Sequence, residues 1–115
     1  MLENLVAPFA KPCVLDLKVG TRQHGDAVEP TKRDRAIRRC ATTTSATLGI
    51  RVGGMRVWRP DEPEPRTWDK SYGKSVRAEN FHDVLERFFD DGRGGVRLEA
   101  VRRIRDRVEA LRGVV

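Results

Sequence analysis

The chain has 115 residues, the size of one small domain, and 23 Lys and Arg against 17 Asp and Glu give it a formal net charge of +6. Its longest apolar run, residues 5–10, is too short for a membrane span, and Glu3 with no basic segment beside it argues against a signal peptide. Cys13 and Cys40 form no metal-binding pair and too small a disulfide framework for a secreted domain. We therefore expect a soluble intracellular protein, cytoplasmic or nuclear, with a polyanionic partner: nucleic acid, an anionic membrane surface or a phosphorylated small molecule.

The first predicted element is a strand within residues 12–20. Alternation along this strand places Asp16 and Lys18 on one face, a few ångströms apart. Two interpretations fit this pattern. One is an exposed ion pair worth at most about 1 kcal/mol. The other is a polar face that lines a cleft, where Asp16 accepts from a hydroxyl and Lys18 donates to a phosphate.

A loop over residues 20–29 leads to a predicted helix that begins at Pro30 and runs to about residue 43. At about 100° per residue, its cations gather on one side and its apolar residues on the other. The cationic side consists of Lys32, Arg35 and Arg39, and the other side of Ile37, Cys40, Ala41 and Thr44. No acidic residue offsets these cations, so the face is either a solvated basic surface or an anion site, which we expect Arg22 to join.

A second strand is predicted over residues 50–58, where Gly53 and Gly54 indicate a bulge or a close approach of another group. The acidic, proline-rich segment 59–66 indicates an exposed loop, because three prolines and three carboxylates continue neither a helix nor a strand. A short strand over residues 67–72 would then pair back across that loop.

Two helices are predicted at the end of the chain, over residues 78–91 and 97–112. Each carries an apolar stripe at helical spacing, which is typical of a helix that faces a core. We therefore interpret both helices as scaffold. The expected core residues are Phe81, Leu85, Phe88, Ile104 and Leu111.

The segment Pro12-x-x-x-Asp16-x-Lys18-x-Gly20 resembles the signature of the inositol polyphosphate kinases. The run that follows, residues 20–26, is similar to the inositol hexakisphosphate kinase branch of that family. Further matches follow in order within residues 38–57, at residues 72–73 and in both terminal helices. The resemblance therefore covers essentially all 115 residues.

The resemblance implies an α+β fold, part of the C-terminal lobe of a protein-kinase-related enzyme that transfers the γ-phosphoryl group of ATP to an inositol phosphate. In this part of the lobe, the resemblance implies a short antiparallel sheet, a basic substrate helix and two C-terminal helices. Residues 2–5 would be the hinge between lobes, with the backbone of Glu3 and Leu5 holding adenine. Lys18 would contact the transferred phosphate and the substrate. Asp16 would lie where ribose and substrate meet, and its role as general base stays open. The other substrate-binding residues would be Arg22, Lys32, Arg35 and Arg39.

In the family, a nucleotide-covering lobe precedes the hinge, and the Asp that holds Mg²⁺ lies beyond the matched segment. We therefore expect this chain not to phosphorylate its substrate alone. Three interpretations remain: the central part of an inositol hexakisphosphate kinase, a non-catalytic module that binds polyanions, and a small basic nucleic-acid-binding domain. The third is the least favoured, because the sequence carries no recognisable DNA- or RNA-binding motif.

Overall fold

The computed structural model describes residues 1–114, which fold into helices around a small sheet. The elements, in chain order, are β1 (Val14–Val19), α1 (Pro30–Ala41), α2 (Thr44–Leu48), β2 (Ile50–Val57), β3 (Arg66–Trp68), α3 (Lys70–Ser75), a 3-10 turn (Ala78–Asn80), α4 (Phe81–Phe89) and α5 (Leu98–Arg112). This arrangement confirms the predicted α+β class. Among the described residues, no helix combines the length and the apolar character that a membrane crossing requires.

The sheet is antiparallel, with β2 between β1 and β3. Asp16 pairs with Gly54 and Leu17 with Val52, so Gly53 is one extra residue on β2 and the register shifts there. A side chain at Gly53 would place its Cβ 2.5 Å from Oδ2 of Asp16. The predicted bulge and the predicted close approach are therefore both confirmed, and the bulge lets the Asp16 carboxylate lie against β2.

The core is centred on β2, which contributes Val52, Met55 and Val57, with Val76 and Val84 packed beside them. The predicted core was wrong in part. Phe81 and Phe88 are half-buried but pack against this cluster as predicted. Leu85 is half-buried, and Ile104 and Leu111 of α5 are 43% and 58% exposed. Periodicity identified the apolar face of α5 correctly, but this helix packs at the edge of the fold, so its stripe is not enclosed.

Two element boundaries differ from the predictions for local reasons. The basic helix ends at Ala41, because the hydroxyls of Thr42 and Thr43 donate to the carbonyls of its last turn, at 2.8 and 2.7 Å, and Thr43 then caps α2. The predicted strand 67–72 is wrong beyond Trp68. The Asp69 carboxylate accepts from two backbone N–H groups and starts α3 instead.

Of the two C-terminal helices predicted at about residues 78–91 and 97–112, the second agrees with α5 to within one residue, and the first is shorter than predicted. The first is divided into the 3-10 turn and α4, which ends at Phe89. Asp90, which follows α4, makes an ion pair with Arg59 at 2.6 Å. This hydrogen-bonded guanidinium, together with the backbone N–H of Gly92, holds the pKa of the Asp90 carboxyl below its usual range. The acidic segment 59–66 is thereby tied to the end of α4 through Arg59.

Helix α3 packs directly on the backbone of β2 through Gly73. This glycine is buried, and a Cβ built on it would overlap the carbonyl oxygen of Val52. The overlapping atoms belong to the backbone of the central strand, so a larger residue cannot be accommodated by a side-chain rotation. Gly73 therefore fixes how closely α3 approaches the sheet.

We predict that Gly73→Ala destabilises the fold by about 1–3 kcal/mol, because the new methyl group forces α3 away from β2. Urea denaturation gives this loss as a lower free energy of unfolding.

Gly25→Ala is the matched control, since no atom lies within 4 Å of a Cβ at Gly25 and its φ is not positive. We expect that variant to be at least as stable as the parent chain. Equal stability of the two variants would contradict the close contact between α3 and β2.

Candidate functional site

Asp16 and Lys18 form an ion pair on the outer face of β1, as the alternation predicts. The Lys18 ammonium lies 2.6 Å from Oδ2 and 2.7 Å from Oδ1 of Asp16. The side chains are 45% and 49% exposed, so the pair adds at most about 1 kcal/mol to stability. The same exposure leaves Lys18 open to a ligand. Asp16 also lines an open cavity of about 420 Å³ with residues of β2 and β3.

A second cavity, of about 320 Å³, lies at the C-terminal end of α1. We call it the basic cavity, because its charged lining residues are all cations. It is lined by Arg35, Arg38, Arg39, Thr42, Thr43 and Lys74. Basic residues at the end of α1 are favourable to that helix, since its C-terminal carbonyls carry partial negative charge. Four cations around one open concavity distinguish this surface from a flat basic face.

The basic cavity brings together part of the predicted cationic face. Arg35 and Arg39 line it as expected, whereas Lys32 lies one turn earlier on α1, is exposed, and is not one of the lining residues. Arg38 was not among the candidate residues, although its helical position close to Arg35 could have indicated it. Lys74 was missed because its segment was not recognised as a helix, and no local signal places it beside α1.

Arg22 does not join the basic cavity, contrary to the prediction. It makes an ion pair with Asp26 and lines a different cavity of about 340 Å³, next to His24 and the apolar side of α1 at Ile37 and Cys40. Ile37 and Cys40 face away from the cations of α1, so the helix itself separates Arg22 from Arg35 and Arg39. The loop at residues 20–26 therefore packs on the apolar side of this helix.

A buried cation, Arg51 on β2, is paired directly with Lys18 on the neighbouring strand β1. Its side chain is 5% exposed and donates to Oε1 of Gln23 at 2.9 Å. The Gln23 amide in turn donates to the hydroxyl of Ser45 at 3.3 Å. Nε of Arg51 has no hydrogen-bond partner among residues 1–114. A buried guanidinium held mainly by neutral groups adds positive potential on the strand next to Lys18. Sequence reasoning missed it, because an Arg within a strand is usually exposed.

Glu3 and Leu5, the predicted adenine contacts, lie in an exposed N-terminal segment that forms a turn at residues 5–8. Within residues 1–114, no group of three or more His, Cys, Asp or Glu side chains is arranged to hold a metal ion. The Asp16 carboxylate already pairs with Lys18 through both oxygens. The described residues therefore contain no preformed cluster of metal ligands.

A sequence model of the inositol polyphosphate kinases matches residues 1–115, and the chain belongs to this family. Inositol hexakisphosphate kinase 3 of Mus musculus is 42% identical over 115 residues, which are all of this chain and 29% of the relative. Inositol hexakisphosphate kinase 1 of Homo sapiens is 46% identical over 92 residues, 80% of this chain and 21% of the relative. The family resemblance seen in the sequence is thus confirmed, and the chain spans less than a third of these relatives.

Solved structures agree with this assignment. The inositol phosphate multikinase of S. cerevisiae, in complex with ADP and Mn²⁺, superposes with a TM-score of 0.67 at 31% identity, covering 76% of this chain and 40% of that one. A second inositol phosphate multikinase gives a TM-score of 0.69 at 23% identity, covering 79% of this chain and 43% of that one. The second likeness shows the fold alone. Together they confirm the predicted kinase-related fold.

The start of the basic helix depends on one carboxylate, that of Glu29. It accepts from the backbone N–H groups of Thr31 and Lys32 at 2.9 and 3.3 Å. Hydrogen bonding to the Thr31 side chain, and to these N–H groups, lowers the pKa of the Glu29 carboxyl. Because the pKa of Glu29 is lower in the folded chain than in the unfolded one, the ionised cap stabilises the first turn fully at pH values above the unfolded-state pKa. This stabilisation is lost as the pH falls through the folded-state pKa.

We predict that Glu29→Ala reduces the hydrogen-exchange protection factor of the Lys32 amide at neutral pH, because the cap is removed. The difference between variant and parent should stay constant above about pH 5 and disappear as the carboxyl is protonated. Glu64→Ala, in the exposed acidic loop, is the control and should leave this amide unchanged. A difference that persists at pH 2 would show that ionised Glu29 is not the cap.

Proposed function

We propose that this chain serves ATP-dependent phosphoryl transfer to inositol hexakisphosphate and that it supplies the surface that binds this acceptor. The observation that carries the proposal is the basic cavity, where four cations and no carboxylate line one open concavity. Six phosphomonoester groups carry a total charge of about −9 to −12 near neutral pH. A ligand of that charge needs several cations on one surface, and the cavity provides them.

Lys18 is the residue proposed to meet the transferred phosphate. Phosphoryl transfer depends mainly on positioning and on neutralising charge, and an ammonium on a rigid strand does both. Asp16 holds this ammonium through both carboxylate oxygens, so it fixes the direction of Lys18 before substrate arrives. When the acceptor is itself a phosphate, it is already ionised near neutrality, and the demand on a general base is small. We therefore assign Asp16 to positioning Lys18 and contacting the nucleotide.

The remaining substrate contacts are divided between two sides of α1. Arg35 and Arg39 act inside the basic cavity, and Lys32 extends the cationic face toward the start of the helix. Arg22, which lies on the other side, would reach the acceptor only by leaving its ion pair with Asp26. We therefore expect Arg22 to contribute less than Arg39.

The nucleotide side of the proposal rests on the family. ATP would meet the exposed backbone of Glu3 and Leu5, and a relative in this family has been solved with ADP and Mn²⁺. No step is assigned to Mg²⁺, since the described residues contain no preformed cluster of metal ligands. The intracellular location expected from the composition stays a prediction.

The alternative function is that of a non-catalytic module that binds a polyanion, either an inositol phosphate or a nucleic acid. The net charge of +6 favours any polyanion. The concave shape of the basic cavity favours a compact ligand over a duplex, because duplex binding is usually marked by an extended stripe of cations.

We predict that the chain binds inositol hexakisphosphate and that Arg39→Ala weakens this binding about tenfold, through loss of a charge-assisted contact in the cavity. Lys32→Ala, outside the cavity, should weaken it less. Isothermal titration calorimetry gives the affinities.

Arg102→Ala, an exposed cation on α5, is the control for lost charge and should bind as the parent does. Tight binding of duplex DNA that neither Arg39→Ala nor Lys32→Ala disturbs would contradict the proposal and favour the nucleic-acid alternative.

Incubation of the chain with ATP, Mg²⁺ and inositol hexakisphosphate tests whether the chain transfers phosphate by itself. Our expectation that the chain alone forms no product stays a prediction. An ATP-dependent product with a seventh phosphate would overturn that expectation and, if Lys18→Gln abolished it, would support the role of Lys18.

A further inference from the structure

Lys74 is the one residue of the basic cavity that comes from outside α1 and the segment directly after it. It lies near the end of α3, 35 positions along the chain from Arg39. The cavity is therefore formed where two separate helices bring cations toward one volume. None of its lining residues is acidic, so nothing in the lining compensates the charge that Lys74 adds.

Several contacts fix the backbone at Lys74. Gly73, directly before it, packs against the Val52 carbonyl, and Asp69 caps the start of the same helix. The carbonyl of Lys74 accepts from the guanidinium of Arg77 at 3.2 Å. The side chain itself is exposed and free to reach into the cavity. A rigid backbone that carries a flexible cation suits a residue that closes on an anion.

We infer that Lys74 is a phosphate-binding residue for the same acceptor, so that the polyanion is held between α1 and α3. This inference rests on the proposed function and adds a second element to the binding surface. The cavity volume of about 320 Å³ is at the lower end of the usual range for small-ligand sites, so it accommodates one part of a large ligand. Three guanidinium groups on α1 face one ammonium from α3, and a phosphate between them offsets charges that otherwise repel.

The test compares three variants by calorimetry with inositol hexakisphosphate: Lys74→Gln, Lys74→Arg and Lys70→Gln. Lys70 begins the same helix, is exposed, and is not among the residues that line the basic cavity, so its loss removes the same charge from a neighbouring place. We expect Lys74→Gln to weaken binding about three- to tenfold. Lys74→Arg should stay within about twofold of the parent, because the charge is kept. Lys70→Gln should bind as the parent does.

Two further readouts separate a ligand contact from a general charge effect. The loss at Lys74→Gln should shrink as salt rises, since an electrostatic contact is screened. Saturating ligand should also increase the hydrogen-exchange protection of α3 amides in the parent and less so in Lys74→Gln, because the anion no longer joins the two helices. Matching urea midpoints for Lys74→Gln and Lys70→Gln would show that both variants are folded.

The outcomes are distinct. If the parent binds and Arg39→Ala weakens binding while Lys74→Gln matches Lys70→Gln, the role of Lys74 is overturned and the proposed function stands. Equal weakening by Lys74→Gln and Lys70→Gln also overturns it, because only overall charge would then matter. If the parent binds no inositol hexakisphosphate, the proposed function itself fails.

Discussion

The close approach of two groups to the backbone of β2 is the constraint on which the candidate site depends. On one side, the bulge at Gly53 leaves room for the carboxylate of Asp16, which in turn holds Lys18. From α3, Gly73 packs on the carbonyl of Val52 and fixes the helix that carries Lys74. Both positions require the absence of a side chain. The positions of β1, which carries Lys18, and of α3, which carries Lys74, are therefore both set by contacts with β2.

The like charges of the candidate site lower the stability of the protein when no ligand is bound. Four cations share the basic cavity, and Arg51 is buried with mainly neutral partners. Buried or crowded like charges destabilise a fold unless something compensates them. Under the proposed function, a bound inositol polyphosphate would compensate the cations of the basic cavity. The proposed function therefore accounts for an arrangement that packing alone does not explain.

Local rules were sufficient for much of the site. Strand alternation predicted that Asp16 and Lys18 share a face, and helical periodicity predicted that Arg35 and Arg39 do. Glycine in the middle of a strand predicted the bulge. Each of these predictions depends on residues a few positions apart, where chain geometry leaves few alternatives.

The parts that sequence did not predict depend on tertiary packing. Lys74 joins α1 only because α3 folds back on β2, and α3 was missed because its cap, Asp69, was not recognised within a presumed strand. Arg51 is buried because Gln23 and α2 cover it. In α5, periodicity showed which side is apolar but could not show that this side stays partly exposed.

The central claim is that an inositol polyphosphate binds in the basic cavity, between the cations of α1 and Lys74 of α3, with Lys18 of β1 proposed to contact the transferred phosphate. The most direct test is a titration of the ¹⁵N-labelled chain with inositol hexakisphosphate, followed through its assigned amide resonances. The account predicts saturable shifts concentrated at Lys18, Lys74 and residues 35–43, with α5 little affected. Shifts spread evenly over all basic residues, or concentrated on the arginine-rich α5, would contradict it.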